Sequence, residues 1–227
     1  MEPGLRMDDE EYAVKTADPA PRKAPRPRAD ALRNRERIVA AAREMFVEFG
    51  PEAPLDEIAR RAGVGNATVY RNFPDRDALV REVVCSVIDR TSEAAELALT
   101  ETGDAFEALS RFVHTAADER INALCPMVSC AFDQHHPDLQ AARERVEQLV
   151  AALMERAREA GQLRPDVGVG DLMVAVAQLS RPPAGTACLH VDRFVHRHLQ
   201  LFLDGLRAPA RSDLPGSTTT MEDLRQA

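Results

Sequence analysis

Residues 55–76 read LDEIARRAGVGNATVYRNFPDR. Leu55, Ile58, Ala59 and Ala62 recur three or four apart, as on one face of a short helix. Gly63 follows where the chain must turn sharply, because glycine enters the left-handed region without steric cost. Val64 and Gly65 complete the turn. A further short helix is expected from Asn66 to about Phe73, stopped by Pro74, and Asp75 is placed to cap a long helix from Arg76 to about Thr100. Two short helices joined by a tight, Gly-containing turn form a helix-turn-helix, whose second helix fits the major groove of B-DNA. Here Val69 and Phe73 fall on one side, with Ile58 and Ala59 available to pack against them.

That arrangement turns Asn66, Ala67, Tyr70 and Arg71 outward. An Asn side chain pairs with N6 and N7 of adenine, an Arg with O6 and N7 of guanine, and a small Ala permits close approach to a thymine methyl. Thr68, Asn72 and Arg76 are offset toward the position of a phosphate backbone. Arg33, Arg35 and Arg37, in the helix that precedes the motif, are placed to add attraction that does not depend on sequence.

The run of Ile58, Ala59, Ala62, Gly63, Val64, Thr68, Tyr70, Phe73 and Leu79 resembles the signature of the TetR family of bacterial transcriptional regulators. The resemblance covers residues 32–83 in motif detail. Beyond them only the all-helical order of elements matches, and the C-terminal part is similar to the SbtR-like subgroup. It implies that Arg33, Asn66, Ala67, Thr68, Tyr70, Arg71, Asn72 and Arg76 contact DNA, that the C-terminal bundle pairs two copies, and that it is hollowed out to bind a small effector. The chain departs from the family pattern where Ser or Thr usually caps the second and third helices, since Pro54 and Gly65 stand there. Both caps lose a hydroxyl that would also meet a phosphate, which weakens affinity more than specificity.

Outward from the motif, Ile38, Ala42, Met45, Phe46 and Phe49 stripe a helix from Leu32 to Gly50. Before it lie an acidic stretch at residues 8–11 and then four prolines interleaved with Arg22, Lys23, Arg26 and Arg28, which can bury no core. Residues 1–30 are expected to be a disordered arm and 209–227 a flexible tail. Residues 31–76 then form the DNA-binding domain, and 77–208 a helical effector-binding and dimerisation domain. Within the latter, Phe106, Leu109, Phe112 and Val113 stripe one helix, Cys125 to Phe132 reads as a short apolar one, and Leu139 to Ala157 carries a third stripe. Leu172 to Leu179 is apolar on nearly every side, which suggests a subunit contact, and Val191, Val195, Leu199, Phe202 and Leu206 stripe the last helix.

Over 227 residues the composition is 44% hydrophobic but only 4% aromatic, with no Trp, and it lacks the β-branched runs of a sandwich or barrel. The fold class is therefore all-α. The apolar run Leu172–Ala177 is too short to span a membrane, so a soluble, cytoplasmic protein is expected. The net charge of -8 conceals a split: residues 22–76 carry +4, whereas 1–21 carry -4 and 77–227 carry -8. The positive segment is the one that contains the motif, and 27 of the 29 bases are Arg, whose fork suits phosphate and guanine edges.

Four cysteines in a chain of this length read as reduced thiols rather than a disulfide framework. Cys125 and Cys130, with His135 and His136 nearby, leave open a metal- or redox-responsive sensor, although the spacing is not that of a structural zinc site. A helical adaptor for protein partners is the other alternative. No phosphate-binding Gly loop, nucleophile elbow or patterned carboxylate pair points to an enzyme, and no cofactor is expected. For an effector cavity the nominated residues are Phe112, His114, Met127, Phe132 and Met173, and the expected partners are a near-palindromic duplex, a second copy and a small molecule.

Overall fold

A computed structural model describes residues 27–50, 52–119, 136–180 and 192–226. The described residues form helices and no strand, with one isolated bridge between Leu163 and Arg207. The helices are α1 (Pro27–Phe49), α2 (Leu55–Ala62), α3 (Asn66–Asn72), α4 (Arg76–Thr100), α5 (Ala105–Asp118), α6 (Pro137–Glu159), α7 (Val169–Leu179), α8 (Asp192–Leu206) and α9 (Met221–Gln226).

Helix ends follow local chemistry. α1 stops at Gly50, whose φ of 79° only glycine takes cheaply, and its N–H returns to Phe46 O at 2.9 Å. α2 stops at Gly63, φ 64°, where the N–H groups of Gly63 and Val64 satisfy Arg60 O and Ala59 O. Asp75 accepts from the Ala78 N–H at the start of α4, and Asp104 accepts from Glu107 at the start of α5. The starts of α2 and α3, at Pro54 and Gly65, have no side-chain cap, as the departure from the family pattern implies.

Two cores share α4. The head packs Ile38, Ala42, Met45 and Phe46 of α1, Ile58 and Ala62 of α2, and Val69 and Phe73 around α3 against Leu79, Val83 and Val87 of α4. The bundle packs Ala95 and Ala98 of α4 with Phe106, Leu109, Phe112, Leu153, Met154, Leu172, Leu199 and Leu203. Between the two lie Thr91 and Ser92, buried, whose hydroxyls donate to Val87 O and Ile88 O one turn back. That bonding satisfies them without a partner helix, and it loosens the helix at the boundary between the cores. Leu139 of α6 is wholly buried in the head core, so α6 touches both units.

Two expectations need correction. α1 begins at Pro27, five residues before the apolar period, with Asp30 in its first turn paired to Arg33, so residues 27–30 do not belong to a disordered arm. The rest of the arm, the apolar segment Cys125–Phe132 and the prolines at 182 and 183 lie outside the described residues. The tail, expected to be loose, lies against the bundle: Arg164 donates to Ser212 O, Thr219 N–H donates to Asp171, and α9 packs near the start of α7. Gly168 and Gly170 make this approach possible, since a Cβ on Gly170 would sit 2.4 Å from the Thr219 carbonyl oxygen.

Candidate nucleic-acid interface

α3 presents a divided surface. Val69 and Phe73 are each 2% exposed, while Asn66, Ala67, Tyr70 and Arg71 face solvent and Thr68 and Asn72 are half-buried. The apolar pair locks α3 to the head, so the outward residues move as one rigid unit. A cleft of about 210 Å³ runs between the starts of α2, α3 and α4, lined by Leu55, Asp56, Asn66, Val69, Tyr70 and Arg76. Among the described residues Arg71 has no hydrogen-bond or ion-pair partner, which leaves its fork available to an anion or a base edge.

The other basic residues are differently engaged. Arg35 lies 4.5 Å over the Phe73 ring, donates to Glu82 at 3.0 Å and to Asn72 O at 3.2 Å, and so fastens α3 to α4. Arg37 donates to Gly63 O, and Arg76 donates to Ala53 O at 2.8 Å. Asn72 directs one amide N–H to Thr68 O at 2.7 Å. Arg33 remains exposed beside Asp30. The guanidinium groups of Arg35 and Arg37 thus also hold the head together. Sequence spacing gives no sign of such ties, whose partners are 26 to 47 residues away.

The sequence reading also missed a link between head and bundle. Glu119, just past α5, accepts from Arg43 of α1 at 3.1 Å and pairs with Arg90 of α4. Its side chain is only 17% exposed. Nothing local marks Glu119 as special, since Arg43 lies 76 residues before it.

The residues nominated for an effector cavity are not brought together. Phe112 is buried in the bundle core, whereas His114, two residues on and so about 200° around the helix, turns to α8. Met173 is half-buried on α7, and Met127 and Phe132 lie outside the described residues. A cavity of about 400 Å³ opens in the head instead, between the end of α1 and α2, lined by Met45, Phe49, Pro54, Arg60 and others. Among the described residues no group of three or more His, Cys, Asp or Glu side chains is placed to hold a metal ion. Cys125, Cys130 and His135 lie outside them, and His136 caps α6. Cys85, on α4, is a free thiol pushed up to about 11 by burial first and then by the carboxylates of Asp89, Glu82 and Asp138.

Comparison with known proteins agrees with this geometry. Residues 38–83 match the family described as bacterial regulatory proteins, tetR family, and residues 101–208 match the C-terminal domain of SbtR-like transcriptional regulators. The crystal structure of the TetR transcriptional regulator SCO0520 from Streptomyces coelicolor is 34% identical, with a TM-score of 0.58 over 78% of this chain and 99% of that one. A TetR transcription regulatory protein from Mycobacterium vanbaalenii is 31% identical, with a TM-score of 0.60 over 80% and 99%.

The chain belongs to the TetR family. Among curated TetR-type relatives, the transcriptional repressor LfrR of Mycolicibacterium smegmatis is 37% identical over 86 residues, 38% of this chain and 45% of LfrR. The matched stretch thus spans less than half of that relative's length. A structure of LfrR from Mycobacterium smegmatis in complex with proflavine shares the fold, with 24% identity and a TM-score of 0.57 over 75% and 96% of the two chains. As in TetR-family regulators generally, the helix-turn-helix lies toward the N-terminal end, and the regular elements among the described residues are helices.

Proposed function

We propose that this TetR-family regulator is a repressor that binds a near-palindromic operator as a homodimer in the cytoplasm and is released by a small-molecule effector. The observation that carries the reading is α3 itself: a buried Val69 and Phe73 hold Asn66, Ala67, Tyr70 and Arg71 outward as one polar surface. Asn66, Ala67, Tyr70 and Arg71 read base edges, while Arg33, Thr68, Asn72 and Arg76 lie toward the backbone. Two such heads held about 34–36 Å apart read two half-sites one helical turn apart.

Dimerisation belongs to α7 and α8. Phe194 and Leu201 lie seven residues apart on one face of α8, 49% and 60% exposed, with Val174 of α7 also exposed. Phe202, at the end of the expected stripe, packs against the core of its own chain. The effector acts in the 77–208 bundle, and its displacement of α4 or α5 reaches the head through the Thr91–Ser92 boundary and the Arg43–Glu119–Arg90 cluster. The test is selection of duplexes from a random pool by the full chain, followed by footprinting with and without cell extract. Protection of paired half-sites that extract relieves supports the reading. Binding without sequence preference, or no binding, refutes it.

A further inference from the structure

α5 and α8 are in contact, their buried residues Val113, Ala116, Val195 and Leu199 belong to one core, and one edge of the contact is polar. There His114 and Asp118, one turn apart on α5, face His196 and Gln200, one turn apart on α8. His114 Nδ1 lies 2.9 Å from His196 Nδ1, and the ring centroids are 5.1 Å apart. The outer nitrogens are engaged too, His196 Nε2 with Asp118 Oδ1 at 2.9 Å and His114 Nε2 with Gln200 Oε1 at 3.3 Å.

The protons in this chain can be counted. The Asp118 carboxylate only accepts, so His196 Nε2 carries a hydrogen. Gln200 gives its amide N–H to Asp204 at 2.8 Å, which fixes its oxygen toward His114 and requires a hydrogen on His114 Nε2. Between the two Nδ1 atoms one hydrogen is needed, since two lone pairs or two N–H groups at 2.9 Å repel. Three hydrogens on two imidazoles amount to one positive charge for the pair.

We propose that His114 and His196 form a one-proton joint between α5 and α8, complete when the pair holds a single shared charge and broken by either gain or loss of a proton. A fourth proton sets two N–H groups and two charges face to face. Removal of the third leaves two lone pairs opposed or one outer contact empty. Among the described residues the neighbouring charges are engaged with other partners. On α5, Arg111 is engaged with Glu101 and Glu119 with Arg43 and Arg90. On α8, Asp204 holds Gln200, His198 bonds Phe194 O, and Arg197 is exposed. Asp171 of α7 is engaged with Gly168 and Thr219, Arg90 of α4 with Glu119, and Arg156 of α6 with Ala98 O and Leu99 O. The consequence rests on the dimer reading above: α8 is held on this edge by the joint and offers Phe194 and Leu201 on another, so a proton gained or lost here alters pairing of two copies.

Imidazole NMR on the full chain, labelled with 15N at histidine and titrated between about pH 5 and 8, tests the joint directly. The expected result is two coupled steps for His114 and His196, with both Nε2 atoms still protonated between the steps. Two independent, superimposable curves like those of free imidazole overturn it. Melting temperature against pH gives a second reading: the native chain peaks at intermediate pH relative to His196→Gln, whereas a constant offset between the two overturns the proposal. Sedimentation over the same range should weaken the dimer by about tenfold on either side of the peak, the equivalent of one hydrogen bond. A monomer at every pH refutes the dimer reading while NMR decides the joint.

Discussion

Arg43 of α1 and Glu119 at the end of α5, 76 residues apart in the chain, lie 3.1 Å apart, and Arg90 of α4 closes on the same carboxylate. One residue earlier, Asp118 holds His196 of α8. The end of α5 therefore touches α1 and α4 through one carboxylate and α8 through its neighbour. Such adjacency gives a short chain of contacts from bundle to head.

Glu119→Gln should test that route, since it keeps the shape but weakens both arginine contacts. The expected loss of stability is about 1.5–3 kcal/mol, the scale of charged hydrogen bonds in a partly buried setting. A double-mutant cycle with Arg43→Ala should show coupling of at least about 0.5 kcal/mol. Additive effects in chemical denaturation, with unchanged release from DNA by cell extract, would remove Glu119 from the route.

Cys85 should be slow to react. With its thiol pushed up to about 11 from an ordinary 9.0, it carries about 100-fold less thiolate than an exposed cysteine at neutral pH. In a chain with the other three cysteines changed to Ser, a thiol reagent should modify the folded protein far more slowly than the denatured one. The sign for stability follows: folding holds the thiol's proton, so this contribution is full below about pH 9 and falls as pH rises toward 11. Equal labelling rates in folded and unfolded protein would contradict the burial.

The tail should depend on a single glycine. Gly170→Ala places a methyl 2.4 Å from Thr219 O and 2.9 Å from Thr220 O, backbone atoms that cannot swing aside as a side-chain tip can. Residues 209–226 should then leave the start of α7 and become accessible to protease, while DNA binding persists. Unchanged proteolysis would mean that the tail is not held by this contact.

Local chemistry made α1 to α4 legible, because glycine turns, an aspartate cap and apolar spacing lie within a few residues of the structure they cause. Val69 and Phe73 could be assigned inward, and Asn66 and Arg71 outward, from periodicity alone. Periodicity names a face, however, and not the neighbour that covers it. Hence spacing does not reveal that the helix points Phe112 and His114 apart, or that Arg35 is engaged by Phe73, Asn72 and Glu82. The start of α1 is not legible for the opposite reason, since residues 27–31 carry no apolar period.

The same distinction decides which residue of α8 tests the dimer. Phe202→Arg would wound the chain's own bundle, because that ring packs on its own core. Leu201→Arg, at a position 60% exposed in one chain, should leave melting of the monomer nearly unchanged while preventing pairing. An unchanged dimer by sedimentation at micromolar concentration would place the interface away from this face of α8.

Asn66 and Arg76 border one cleft but should fail differently. Asn66 opens α3, is exposed, and sits at the end of a recognition helix that reaches base edges. Asn66→Ala should cost about 1–3 kcal/mol on the preferred operator and flatten discrimination at one position per half-site, without loss of fold. Arg76 already donates to Ala53 O, tying the start of α4 to the loop before α2. Arg76→Ala should therefore weaken all sequences alike, lower the salt slope by about one per subunit, and also destabilise the head by about 1–3 kcal/mol as a charged hydrogen bond is lost. Arg76→Lys keeps the charge for phosphate but not the guanidinium fork, so it should recover most of the salt slope and less of the stability. Binding of the three variants to matched and mismatched duplexes across a salt titration, beside their melting curves, separates these outcomes. Retained discrimination in Asn66→Ala with loss of discrimination in Arg76→Ala would show that the opposite edge of the cleft faces the bases.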